Sequence, residues 1–202
     1  MQLDSFAVGV GSANCYVLAG KYVIDPGGMN DELESVLQQE SESIEAILLT
    51  HAHYDHIGGI DSVRRIVGDC SIYCHDEDRE MLANADQNMS TWMGKRVEFA
   101  ASKPFEGHDL SIGNTDVEVV HTPGHTRGSV SLYLENEAVL FTGDTLFKEG
   151  IGRSDLPGGD HQKLLNSVRQ SIFPLPEETT VYPGHGPETT IEHEQSNNPF
   201  LQ

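Results

Sequence analysis

The 202-residue chain is poor in cations: 12 Lys and Arg stand against 32 Asp and Glu, a formal net charge of −20 at pH 7. A field of that sign repels phosphate backbones and anionic membrane surfaces, which speaks against nucleic acid or a lipid surface as partner. Long apolar runs are also missing. No stretch approaches the roughly 18 apolar residues of a membrane span, and mean hydropathy is −0.37. The first residues, MQLDSFAVGV, have neither a basic n-region nor a long apolar h-region, so a cytoplasmic location is expected. Cysteines are few, Cys15, Cys70 and Cys74, with no C-x-x-C pair. An odd count in that arrangement points to reduced thiols, with Cys70 and Cys74 packed on one face of a strand. There is no internal repeat and no low-complexity run.

What the sequence does contain is a succession of short apolar segments separated by Gly, Pro, Asn and Asp. Strands are expected at 5–10, 14–19, 21–25, 44–50, 70–75, 116–121, 129–134, 138–142 and 179–182. Asp31–Gln39 places Leu33, Val36 and Leu37 at helical spacing, and 58–67, 76–84 and 160–171 also read as helices. The segment 44–50, IEAILLT, is almost wholly apolar, the pattern of a strand covered on both faces. The class is mixed α and β, expected as one domain of sheet packed on sheet with helices outside.

Ten histidines are present, and their placement carries the chemistry. His51, His53, Asp55 and His56 spell H-x-H-x-D-H directly after IEAILLT. At this chain's own His and Asp frequencies, such a pattern arises by chance roughly twice in a thousand sequences. Imidazoles and a carboxylate so close together form a donor set for zinc, iron or manganese. Side chains at 51, 53 and 55 are expected to converge from an extended loop, with His56 turned elsewhere, and four donors in six residues suit two neighbouring ions better than one. His125 follows DVEVVHTPG, Asp144 follows AVLFTG and His185 follows TTVYPG. Each lies just past an apolar strand, where function is hosted on a rigid scaffold, and Gly124, Gly143 and Gly184 before them suggest tight turns.

These motifs, with HTPGHT, FTGDTLF and YPGHG, resemble the metallo-β-lactamase superfamily across nearly the whole chain. The run GDTLFKEGIGRSDLPGGD and the ending NNPFL are similar to the short type II glyoxalase (hydroxyacylglutathione hydrolase-like) branch. The resemblance implies an α+β fold, a four-layer αββα sandwich with a dinuclear site on one edge. It implies that His51, His53 and His125 hold one metal, that Asp55, His56 and His185 hold the other, and that Asp144 bridges them. Two divalent ions about 3.5–4 Å apart can share a water and lower its pKa toward neutrality. The bridging hydroxide is then the nucleophile, with Asp55 and Asp144 as the catalytic carboxylates, and the metals take the oxyanion charge. The motifs supply no general acid, which favours a thiol leaving group over an amide nitrogen.

Arg153, in GIGRSDLPGG, and nearby Lys148 are the expected substrate-binding cations, since related enzymes place a basic residue there. Tyr182 and Trp92 are further candidates to line the pocket. His121 is expected to support the site or the packing. His75, His108, His161 and His193 read as surface or capping residues, and Asp25, before Pro26, as a turn residue with support of the site second. Long type II glyoxalases carry a basic C-terminal extension, whereas 189–202 here contain no Lys or Arg. The expected activity is hydrolysis of a hydroxyacyl thioester such as S-D-lactoylglutathione with two divalent metals, zinc foremost and iron or manganese as alternatives. A mononuclear-iron persulfide dioxygenase, a lactonase or β-lactamase, and a non-catalytic metal-binding protein stay open at this point.

Overall fold

Sequence periodicity and the computed structural model agree best where apolar residues are densest. Residues 2–101, 103–105, 109–112 and 115–202 are described, and the chain divides into two compact units, Met1–Pro104 and Phe105–Gln202. The first unit contains strands β1 (Leu3–Val8), β2 (Ala13–Leu18) and β3 (Tyr22–Ile24), helix α1 (Asp31–Gln39), strand β4 (Ala46–Leu48), the single turn α2 (Tyr54–Ile57), helix α3 (Ile60–Val67), strand β5 (Ser71–Tyr73) and the short α4 (Arg79–Leu82). Its sheet runs β1-β2-β3-β4-β5. The first pairings are antiparallel, and β3-β4 and β4-β5 are parallel.

Local chemistry explains these elements. Asn30 Oδ1 caps α1 by accepting from Leu33 N at 2.8 Å, and Asp31, Glu32 and Glu34 favour the positive end of the helix. Leu33 and Leu37 turn into a core shared with Phe6, Val17, Ile47, Ile57, Ile72 and all three cysteines. Burial pushes the Cys74 thiol well above its ordinary range, so the cysteines act as small hydrophobes. β4, between two parallel neighbours, is buried on both faces. It is shorter than its apolar run because the Asp25 side chain, not a strand, accepts the Thr50 N–H at 2.8 Å. The ladder ends where that side chain takes over.

The second unit holds β6 (Asp109–Ile112), β7 (Thr115–His121), β8 (Val130–Leu134), β9 (Val139–Gly143), β10 (Leu146–Phe147), β11 (Gly150–Ile151), helix α5 (His161–Ser167), β12 (Thr180–Pro183), β13 (Thr189–Thr190) and helix α6 (Ile191–Asn197). The main sheet runs β13-β12-β9-β8-β7-β6, and β10 and β11 form a separate hairpin. Only β12-β9 is parallel among these pairings. Leu140, Leu146, Val168, Ile172, Val181 and Ile191 pack together. Asp160 caps α5, accepting from Lys163 N at 3.0 Å. That helix is regular only to Ser167 and then widens into the π-type turn Val168–Ile172. The tail, read from sequence without an element, forms β13 and α6.

Candidate metal centre

In the first unit, β4 delivers the chain to the H-x-H-x-D-H motif, and α2 follows at once. Asp55 and His56 therefore sit on a helical turn, not on the extended loop expected of residue 55, while His53 caps that turn in extended backbone. The His51 and His53 rings meet edge to face with centroids 4.9 Å apart, and His51 and His56 lie at 4.2 Å. All three are essentially buried. Asp55 is more open, its side chain 28% exposed, with Oδ2 3.9 Å from His56 Nε2.

Asp25 does more than turn the chain. It is buried and left-handed, with φ 49°, a conformation a non-glycine residue keeps only where its surroundings enforce it. Its Oδ1 accepts from Thr50 N, and its Oδ2 accepts the Thr50 hydroxyl at 2.5 Å and His56 Nδ1–H at 3.0 Å. With its proton committed to Asp25, Thr50 Oγ1 is the acceptor for His51 Nδ1–H at 3.1 Å. One carboxylate thus fixes the tautomer of two histidines and leaves Nε2 of each for a metal. A second buried carboxylate, Asp78, accepts from Ala52 N at 3.2 Å and anchors the loop between His51 and His53. Asp78 was missed in the sequence because it lies in a run of surface-like charges, HDEDRE.

The same unit clamps Tyr54 from outside. Asn88 O accepts from Tyr54 N at 2.9 Å, and Lys95 Nζ stands 5.7 Å from the Tyr54 ring centroid. Trp92, on the adjoining turn, is 64% exposed. Gly27 is required by close approach, since a Cβ there would fall 1.5 Å from the Asp55 carbonyl oxygen.

In the second unit, His125, Asp144 and His185 come together. The Nε2 atoms of His125 and His185 stand 3.5 and 3.7 Å from the same oxygen, Oδ2 of Asp144. Those distances are long for hydrogen bonds. They are close to the roughly 3.3 Å between neighbouring donors around one tetrahedral ion with bonds of about 2.0–2.1 Å. His125 Nδ1–H donates to Arg153 O at 2.7 Å, which again leaves Nε2 for a metal. Gly124 and Gly143 take positive φ, whereas the turn after His185 places it at Gly186 rather than at Gly184. The Phe147 ring meets His185 edge-on at 6.1 Å.

Arg153 serves His125 through its carbonyl, while its guanidinium is held in a fork by Asp155 at 2.8 and 2.9 Å and is exposed. Lys148 is exposed in the hairpin loop between β10 and β11. Tyr182 stacks on Phe141 of its own sheet at 5.6 Å, and burial, then Glu188, pushes its hydroxyl pKa up. His121 Nε2 donates to Arg127 O. His75 accepts from Glu77 N as a cap, His161 pairs with Ser154 and His193 with Glu149. His108 lies outside the described residues. Among the described residues, no helix is long and apolar enough to cross a membrane.

In both units the donor chemistry suits divalent metal. The buried His51, His56 and His125 imidazoles present Nε2 while their Nδ1 protons are engaged by a hydroxyl, a carboxylate and a carbonyl, and aspartates stand beside them as oxygen donors.

The family model described as the metallo-beta-lactamase superfamily matches residues 8–185. The chain is 42% identical over 209 residues to the probable metallo-hydrolase YqgX of Bacillus subtilis, covering all of this chain and 98% of that one. It is 32% identical over 182 residues to hydroxyacylglutathione hydrolase GloC of Haemophilus influenzae, covering 89% of this chain and 86% of that one. Among solved structures, the B3 metallo-beta-lactamase BLEG-1 is 43% identical, with a TM-score of 0.91 over 99% of each chain. The di-iron-bound form of TTHA1623 is 33% identical, with a TM-score of 0.86 over 98% of this chain and 100% of that one.

Proposed function

From the premise that the chain belongs to the metallo-β-lactamase superfamily, an α+β metallo-hydrolase family, we propose that it hydrolyses a hydroxyacyl thioester such as S-D-lactoylglutathione with two divalent metals. In this reading His51, His53 and His125 would hold one ion and Asp55, His56 and His185 the other, with Asp144 as the carboxylate available to both. The observation that carries it is the pair of histidine Nε2 atoms 3.5 and 3.7 Å from one Asp144 oxygen, an arrangement suited to a shared carboxylate ligand. When bound, such a metal pair polarises a carbonyl and makes water acidic enough to attack near neutral pH.

The protein's own residues supply the rest. Asp25 and Thr50 fix His56 and His51, and the Arg153 carbonyl fixes His125. Asp55, the most exposed carboxylate of the set, would both hold metal and orient the attacking water. A thiol departs as thiolate without a proton donor, which fits a motif set that contains no general acid. The likeness to GloC supports the same substrate class. Lys148, and Arg153 when released from Asp155, are the cations proposed for the thiol carrier. Small molecules of this kind are the proposed partners, and a cytoplasmic setting accords with reduced thiols.

A second reading, hydrolysis of β-lactams, is favoured by the 43% identity to BLEG-1. The test is steady-state turnover of S-D-lactoylglutathione, a lactone and a β-lactam by one metal-loaded preparation, with Asp144→Ala as blank. A kcat/KM for the thioester that exceeds the other two and vanishes in the blank is the expected result. A preference for the lactam transfers the assignment to the second reading.

A further inference from the structure

The ending NNPFL and the run after Asp144 are far apart in sequence, yet within the second unit they are joined by one buried carboxylate. Glu194 lies on α6 with no exposed surface. It accepts from Thr189 Oγ1 at 2.6 Å, from Glu149 N at 2.9 Å and from Asn198 Nδ2 at 2.8 Å. Asn198 Nδ2 also donates to Gly150 O at 3.0 Å, while its Oδ1 accepts from Phe200 N at 3.1 Å. Two of these bonds land on the hairpin loop and the start of β11. The same loop receives a third contact, His193 Nε2 to Glu149 Oε1 at 3.0 Å.

The loop needs holding. Glu149 is a non-glycine residue at φ 54°, and such strain persists where neighbouring groups over-determine it. The hairpin also sits at a sensitive point of the chain. Asp144 precedes it, Gly152 follows so tightly that a Cβ would fall 1.8 Å from the Asp144 carbonyl oxygen, and Arg153 O then receives His125 Nδ1–H. Lys148, one of only 12 cations in the chain, projects from the strained loop.

We infer that Glu194 and Asn198 are positioning residues that set the β10–β11 hairpin, so that Lys148 is presented to the anionic part of the thiol carrier. This inference rests on the thioester reading for the identity of the ligand, though not for the brace itself. The C-terminal segment, which carries no cation, thereby shapes recognition indirectly.

The test compares Asn198→Ala with Thr189→Val in the metal-loaded protein. Thr189→Val takes a hydrogen bond from the same buried carboxylate but leaves both hairpin bonds in place. Asn198→Ala is expected to raise KM for S-D-lactoylglutathione about tenfold with kcat within about threefold, the signature of lost uniform binding. It is also expected to speed amide exchange across 146–153. Thr189→Val is expected to lower Tm while leaving KM and that exchange unchanged. Should Asn198→Ala fail to fold, Asn198→Leu, of similar size and without a donor, carries the same expectation. Unchanged KM and exchange in the hairpin variant, or equal changes in both variants, overturn the inference. If the wild type releases no thiol, the thioester reading fails separately, and the exchange comparison still decides whether the brace exists.

Discussion

At residue 25 a single side chain accepts three hydrogen bonds, two from Thr50 and one from His56. Replacing it with alanine leaves buried donors without an acceptor, at about 1–3 kcal/mol each. It also releases the His51 and His56 rings, and loss of such a support costs about 10–100-fold in metal affinity. Competition between Asp25→Ala and a fluorescent chelator should read that loss; wild-type affinity in the variant would mean the rings are held by other means. Gly27 makes a different demand. Its added Cβ would meet the Asp55 carbonyl oxygen at 1.5 Å, so Gly27→Ala must push α2 away. Overpacking of this kind costs about 1–3 kcal/mol, and here it should also weaken binding of the ion proposed for Asp55 and His56. Urea unfolding and metal content after dialysis check both effects. The close approach of a backbone carbonyl leaves no signature in sequence periodicity, which is why Gly27 does not stand out in the sequence.

Among the elements, legibility followed apolar patterning. Helix α1 falls at Asp31–Gln39 as the spacing predicts, and Cys70, Ile72 and Cys74 share one core as alternate residues of a strand should. Helix α6 was hidden because one of its two buried positions is Glu194, a carboxylate where a hydrophobic residue would have completed the period. β10, β11 and β13 have two residues each, too few to show alternation. The candidate donor positions stand out because strand ends leave histidine and aspartate next to glycines. Of the groups that hold them, Asp25 reads first as a turn residue and only second as a support, and Asp78 is lost among surface-like charges. At the edge of β3, Glu45 accepts from Lys21 Nζ at 2.8 Å and from the Tyr22 hydroxyl at 2.7 Å. The Lys21 bond chiefly, then the Tyr22 bond, holds the Glu45 carboxyl below its ordinary range. Its folded pKa being lower than the unfolded one, this stabilisation is present above about pH 4.3 and is lost as pH falls through the folded value. The pair is open to solvent, so its worth is under about 1 kcal/mol. Lys21→Met should therefore lower Tm slightly at neutral pH and leave Tm at the acid end unchanged, which flattens the acid limb; an unaltered neutral Tm and acid limb would show that the pair contributes nothing.

For the whole molecule the dominant quantity is the charge of −20. An anionic thioester approaches that field against repulsion, and salt screens repulsion over a Debye length of about 10 Å at 0.1 M. Accordingly kcat/KM for S-D-lactoylglutathione should rise between about 0.02 and 0.2 M NaCl. A fall would mean that Lys148 and Arg153 outweigh the global field at the site. Each unit carries its own group of metal-type donors, four residues of the H-x-H-x-D-H motif in the first and three strand-end residues in the second. The proposal under test is that these seven residues would hold two ions for hydrolysis. Its most direct test is to titrate metal-free protein with zinc, and in parallel anaerobically with ferrous iron or manganese, while following thiol release from S-D-lactoylglutathione. Turnover that climbs to a plateau at two equivalents per chain, and is absent throughout in Asp144→Ala, is the expected result. A plateau at one equivalent of iron with activity that consumes oxygen, or full loading with no hydrolysis of any thioester, would contradict it.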